Sequence, residues 1–123
     1  MRKCPFCNLM EEETIIQNEL AFARFDKYPV SPGHMLIIPW RHFDNYFDAT
    51  REEKIALIDL IDEAKKILDK KFSPHGYNIG VNIGIPAGQS VMHLHLHIIP
   101  RYRGDTENPK GGVRGVIPWK RSY

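Results

Sequence analysis

The alternation of hydrophobic and polar positions predicts most of the chain's elements. From Met92 to Pro100 the sequence runs Met-His-Leu-His-Leu-His-Ile-Ile-Pro, with His93, His95 and His97 at every second position. A β-strand turns alternate side chains to opposite faces. This stretch therefore predicts a strand with three imidazoles on one face and Leu94, Leu96 and Ile98 on the other. A helix, turning about 100° per residue, would scatter the same histidines around its circumference. Residues 14–17 and 20–26 read as two short strands joined by the polar pair Asn18-Glu19. Residues 34–39 are nearly all apolar, as a strand covered on both faces would be, and Pro39 should end its ladder. Residues 77–83 alternate as a further strand.

The one long helix is predicted over residues 51–72. Thr50 is placed to cap it, and Glu53 three positions on completes a capping box. Leu57, Ile61, Ala64 and Leu68 recur at helical spacing, joined by Ile58, Ile67 and Phe72, so this stripe should face the core. Glu52, Glu53, Lys65, Lys66 and Lys70 should face water. Ser73-Pro74-His75-Gly76 stops the helix. Residues 84–90 form a Gly- and Pro-punctuated loop leading into the histidine strand, so 77–83 and 92–100 should make a hairpin-like pair. Such a loop can bring backbone N–H groups close to an anion. Residues 41–48 are a loop carrying His42, and residues 108–123 form an irregular tail.

Composition narrows the function. The 123 residues suffice for one domain, 1–123, with a real core. The net charge of +2 comes without an acidic or basic tail, which argues against nucleic acid or a membrane surface as partner. No apolar stretch approaches the roughly 20 residues of a membrane span, and residues 1–7 do not resemble a signal peptide. The expectation is a soluble cytoplasmic protein, in which Cys4 and Cys7 are thiols or metal ligands rather than a disulfide.

Cys4-Pro5-Phe6-Cys7, within residues 1–10, has the spacing of a zinc knuckle or a redox pair. The redox reading calls for a strand before the motif, and only three residues precede it, so zinc is preferred. A closed zinc site takes four ligands, and His42 and a member of the histidine trio are the available candidates. An alternative makes His93, His95 and His97 the ligands of a catalytic metal, which would leave the cysteines without a role. Taken alone, His34 reads as structural.

Residues 87–99, Ala-Gly-Gln-Ser-Val-Met-His-Leu-His-Leu-His-Ile-Ile, resemble the signature of the histidine triad (HIT) family. The resemblance extends to the N-terminal Cys-x-x-Cys, to Pro32-Gly33-His34-Met35-Leu36-Ile37-Ile38-Pro39 and to the long helix. It implies an α+β fold, an antiparallel sheet of about five strands with one long helix, normally assembled as a homodimer. It also implies hydrolysis or transfer of nucleoside phosphates. In that pattern His95 is the nucleophile that becomes nucleotidylated, while His97 and His34 contact the phosphate and assist the leaving group. Gln89 and Ser90 match positions binding phosphate or the bridging oxygen, Asp26 a position on the ribose hydroxyls, and Asn82 a polar residue near the scissile phosphate. The knuckle resembles that of galactose-1-phosphate uridylyltransferase, which implies a structural zinc on Cys4, Cys7, His42 and His93.

Pro100-Arg101-Tyr102-Arg103-Gly104-Asp105 resembles the branch acting on dinucleoside polyphosphates such as diadenosine tetraphosphate. Arg101, Arg103 and Arg114 would suit polyphosphate, since guanidinium forks match phosphate oxygens. The alternatives are an adenosine phosphoramidate hydrolase, a dinucleoside polyphosphate phosphorylase, or a nucleotide-binding regulatory module. The chemistry is sound on its own terms. A neutral imidazole is a competent nucleophile near pH 7, provided an acceptor such as the carbonyl of His93 holds its other ring nitrogen.

Overall fold

The computed structural model describes residues 4–8 and 13–122. Five strands, β1 (Ile16–Gln17), β2 (Ala21–Phe25), β3 (Met35–Pro39), β4 (Gly76–Val81) and β5 (Leu96–Arg101), form one antiparallel sheet in the order β1-β2-β3-β5-β4. The helix α1 (Arg51–Phe72) joins β3 to β4 and packs on one face of the sheet. This is the α+β architecture that the resemblance implies. No helix among the described residues is long and apolar enough to cross a membrane.

Local chemistry fixes each boundary. Asn18 turns β1 into β2 by accepting the N–H groups of Leu20 and Ala21 on its side-chain oxygen. Thr50 Oγ1 accepts the Glu53 N–H at 3.0 Å and Glu53 Oε1 accepts the Thr50 N–H at 2.9 Å, closing the capping box that the sequence predicts. Glu53 does not face water, however. It is 4% exposed and takes a two-pronged contact from Arg41, Nε to Oε2 at 3.0 Å and Nη2 to Oε1 at 2.8 Å. With its lone pairs met by a guanidinium and a backbone N–H, a carboxylate can be buried. Arg41 holds the Glu53 carboxyl below the ordinary range. Ile58 also departs from expectation: it is 55% exposed, because Leu57, Leu60, Ala64 and Leu68 set the inward face of α1.

Every residue of β3 is buried, as an all-apolar strand requires. Met35 and Ile37 join the core under α1, with Ala23, Leu60 and Leu68. Leu36 and Ile38 point the other way, into a smaller core built with Phe22, Cys4 and Phe6. The knuckle thus packs on the sheet face opposite the helix. Leu94, Leu96 and Ile98 all belong to the helix-side core. Shifting this stretch by one residue would expose all three, at about 1.5–3 kcal/mol per side chain, and bury the histidines in their place.

The ladder of β5 begins at Leu96, four residues later than the alternation predicts. The reason is local. The Leu94 N–H donates to the Phe43 carbonyl at 2.6 Å, and the His93 carbonyl is taken by the ring of His95. Both groups are lost to the sheet, yet inside–outside alternation continues through the lead-in. β4 likewise stops at Val81, opposite Leu96, and not at residue 83. The register then sets Arg24 beside Leu36, Leu36 beside His97, and His97 beside Gly80, a row across four strands.

Candidate active site

A cavity of about 290 Å³ opens on the sheet face opposite α1, and His95, His97, Asp26, Asn82 and Ser90 lie on its wall. The hydrogen bonds of the imidazoles fix which nitrogen carries each proton. His95 Nδ1 stands 2.8 Å from the carbonyl oxygen of His93. A carbonyl only accepts, so Nδ1 bears the hydrogen and Nε2 keeps its lone pair. At His34 the order is reversed: Nδ1 accepts the N–H of Val30 at 3.1 Å, leaving the proton on Nε2. That Nε2–H lies 3.0 Å from His97 Nδ1, which must therefore accept, so His97 carries its own proton on Nε2. Val30, His34 and His97 form a directed chain that ends in an N–H donor beside the lone pair of His95.

Burial keeps this chain neutral. His97 is pushed down to about 4 by burial, reinforced by His95 and His34. His34 is lowered by burial too, although Asp26, with Oδ2 at 3.5 Å from its Nε2, acts the other way. Asp26 is steadied by accepting the Tyr28 N–H at 2.9 Å. His34 is therefore not a bystander; it orders the tautomer of His97.

A second cluster sits behind the cavity. The ligand atoms of Cys4, Cys7, His42 and His93 all lie within 4.8 Å of one another. Cys4 Sγ is 3.4 Å and Cys7 Sγ 3.5 Å from His93 Nδ1, Cys7 Sγ is 3.2 Å from His42 Nδ1, and the two Nδ1 atoms are 3.1 Å apart. A tetrahedral zinc with bonds of about 2.3 Å to sulfur and about 2.0 Å to nitrogen needs edges of roughly 3.3–3.8 Å. The four edges quoted match these values or fall short of them by a few tenths, so the donor set fits with a slight expansion. His93 Nε2–H donates to the Pro39 carbonyl at 2.8 Å, which leaves Nδ1 as the lone pair facing the other three. Burial pushes the Cys4 thiol up, so a buried thiolate there requires a cation. The two sulfurs form no disulfide.

Asp26, His34 and His97 make another compact group of ligand-type atoms. It is unsuited to a metal because His34 Nε2, at its centre, already carries the proton. The trio is thus divided. His93 belongs with the cysteines, His97 with His34, and His95 stands between them, so the three do not converge on one catalytic ion.

Other expected residues fall elsewhere. Gln89 is buried behind the loop, accepting the Gly84 N–H on Oε1 and donating from Nε2 to the carbonyls of Asp44 and Val91. The N–H groups of Ala87, Gly88 and Gln89 all bond back within the loop, so they form no anion cradle. Arg101 grips Asp105 at 2.8 Å through two nitrogens and Asn78 at 2.6 Å, and with Arg103 it borders a separate depression. Arg114 Nε donates to the Arg121 carbonyl. Phe6 and Arg24 are among the cavity-wall residues that the sequence did not single out. Phe6 sits with its ring 5.0 Å from that of His95, and the buried Arg24 guanidinium lies 5.7 Å from the centre of the same Phe6 ring, two strands away from His97. The alternation Phe22, Arg24, Asp26 along β2 was the available signal for the latter.

Comparison with known proteins agrees with this geometry. The HIT domain family model matches residues 9–104. An AP-4-A phosphorylase of Mycobacterium tuberculosis is 35% identical over 100 residues, covering 79% of this chain and 51% of the relative. A bis(5'-nucleosyl)-tetraphosphatase [asymmetrical] of Schizosaccharomyces pombe is 36% identical over 93 residues, covering 76% and 51%. The chain thus spans about half the length of these curated relatives. Among solved structures, a Zn-bound histidine triad family protein from Mycobacterium smegmatis superimposes with a TM-score of 0.70 at 29% identity, covering 77% of this chain and 69% of that one.

Proposed function

The chain belongs to the HIT domain family, and from that premise we propose that it transfers a nucleotidyl group through His95, with a dinucleoside polyphosphate such as diadenosine tetraphosphate as donor. The observation that carries this reading is the 2.8 Å contact between His95 Nδ1 and the His93 carbonyl, which leaves Nε2 as a lone pair beside the cavity. Nε2 attacks the phosphorus of a nucleoside's first phosphate, a P–N bond forms, and the P–O bond to the rest of the polyphosphate breaks with its electron pair. The ring becomes cationic in the intermediate, and the His93 carbonyl stabilises the charge through Nδ1–H. His97 Nε2–H donates to a phosphoryl or bridging oxygen, held in that tautomer by His34. Asn82 and Ser90 orient the phosphate and Asp26 meets the ribose. Gln89 acts one step back, positioning the loop that carries Ser90. In the second step water or inorganic phosphate displaces the nucleotide from Nε2.

The four-ligand cluster holds a structural zinc in this reading, since all four positions are protein ligands and none is left for water. Zinc bound there ties the knuckle and the His42 loop to His93. The assembly is a homodimer. What supports it is β4, an open edge of the sheet on which Ile79 is 47% exposed. A reducing cytoplasm suits paired thiol ligands.

The test is to mix protein with diadenosine tetraphosphate, unfold it in alkali during turnover, and weigh the His95 peptide. An adduct of one nucleotidyl group on His95, absent from the His95→Ala variant, is expected. Full turnover by that variant would refute the assignment. Isotopically labelled phosphate in the same mixture separates the two acceptors: label recovered in a nucleoside diphosphate means phosphorolysis, and unlabelled AMP means hydrolysis.

A further inference from the structure

Arg24 is 3% exposed, and it lines the same cavity as His95 and His97. Its charge is met by Glu13, with Oε2 at 3.2 Å from Nη1, but the geometry makes no hydrogen bond there. Nε–H reaches the Phe25 carbonyl at 3.3 Å. A guanidinium has five N–H donors, and among the described residues this single, long hydrogen bond is the one it makes. None of its nitrogens is sealed off without a partner, the sealed atom of the pair being Glu13 Oε2, so the remaining donors open on the cavity, where a ligand would meet them.

Position and surroundings say which part of a ligand. Arg24, Leu36 and His97 are register partners on three adjacent strands, which puts Arg24 about 10 Å from His97 along the sheet. With a nucleotide's phosphorus at His95, its base extends toward that end. Phe6, Leu36 and Val91 line the cavity with apolar surface, suited to the faces of a ring and not to further phosphates. Glu13 neutralises the guanidinium, so what remains is a set of directed donors for a neutral acceptor. Guanine and hypoxanthine offer O6 and N7 side by side, the pair that an arginine fork matches. Adenine sets an N6 amino donor against that fork.

We propose that Arg24 selects the base at the covalent subsite, taking a 6-oxopurine nucleotide over an adenine nucleotide. This rests on the nucleotidyl-transfer reading of the cavity and narrows its donor, making a dinucleoside polyphosphate that bears guanine or hypoxanthine a better substrate than the diadenosine compound. The experiment is calorimetric titration of the full chain with GMP, IMP and AMP, beside the Arg24→Lys variant and the double variant Arg24→Met, Glu13→Gln. In the parent, GMP and IMP should each bind about tenfold or more tightly than AMP, the discrimination of one bidentate pair. In both variants the ratio should fall close to one. Equal binding of the three by the parent, or a ratio that survives both variants, overturns the role of Arg24 and leaves nucleotidyl transfer standing. A uniform loss of all three in the variants makes Arg24 a phosphate contact and also overturns it. Failure of the parent to bind any of them overturns the reading beneath it as well.

Discussion

His93 and His97 lie four residues apart, and each sits in a compact cluster of ligand-type groups, yet the two clusters suit opposite tasks. Around His93 the donors close on a point. Around His97 they line up in sequence. The difference lies in the nitrogen that faces away from each cluster. His93 gives its Nε2–H to the Pro39 carbonyl and turns a lone pair inward, whereas His34 receives the Val30 N–H and turns a proton inward. A backbone acceptor behind one ring makes a metal ligand, and a backbone donor behind the other makes a proton-bearing relay. His95 belongs to neither cluster and depends on both, through the His93 carbonyl on one side and His97 on the other.

The sharpest way to break this division is at His95. The His95→Ala variant should lose activity by a factor of about 10⁴ or more, the scale on which a covalent nucleophile matters. Its zinc content and melting temperature should stay near those of the parent. A loss of zinc in the same variant would show that the clusters are not separate.

Cys4→Ser tests the closed cluster. A closed zinc site contributes folding energy outright, so removing one ligand should cost about 3 kcal/mol or more and lower the melting temperature by roughly 10 °C. Metal analysis beside calorimetry checks it. Full zinc at an unchanged melting temperature would take the cysteine out of the site. A smaller effect is expected one step behind. Glu53 holds Arg41, and Arg41 precedes His42 of the four-residue cluster, so Glu53→Ala should cost about 1–3 kcal/mol through the lost cap and the lost contact with half-exposed Arg41. It should also weaken zinc by roughly tenfold, the range for residues that orient a ligand. A chelator competition reads that directly.

The sequence carried much of this because the decisive pattern is local. Leu94, Leu96 and Ile98 alternate with the histidines, and burying the leucines leaves the imidazoles no choice of face. Thr50 and Glu53 announce the helix start just as plainly. What stayed hidden depends on partners distant in the chain. Glu53 reads as a solvated charge until Arg41 is seen to reach it. Gln89 reads as a phosphate contact until Asp44 and Gly84 claim its amide. His34 reads as structural until β3 pairs with β5 and sets its ring against His97. Arg24 is one more residue of the strand at 20–26 until the row Arg24, Leu36, His97 shows it facing the cavity. Periodicity reports which face a residue takes, and not what waits there.

The mildest test distinguishes the clusters by acid. His97 is held at about 4 in the fold against 6.5 in a free chain, and His34 is lowered in the same sense. Between those two values the unfolded chain takes up a proton that folded His97 refuses. Stability therefore falls as pH drops from about 6.5 toward 4, and it rises with pH across that window. One proton contributes at most about 1.4 kcal/mol per pH unit, and solvent at the cavity mouth reduces it. A zinc held by Cys4, Cys7, His42 and His93 would also be lost in acid, as its ligands take up protons, so the slope alone does not separate the two clusters. His97→Asn does. Its side-chain oxygen can still accept from His34 Nε2–H, while nothing at position 97 titrates. In melting curves from pH 7 to 4.5 the variant should show a shallower decline than the parent, with zinc released at the same pH in both. Parallel declines would mean that His97 titrates in the fold as it does in a free chain, and the relay would lose its claim to a buried, neutral imidazole.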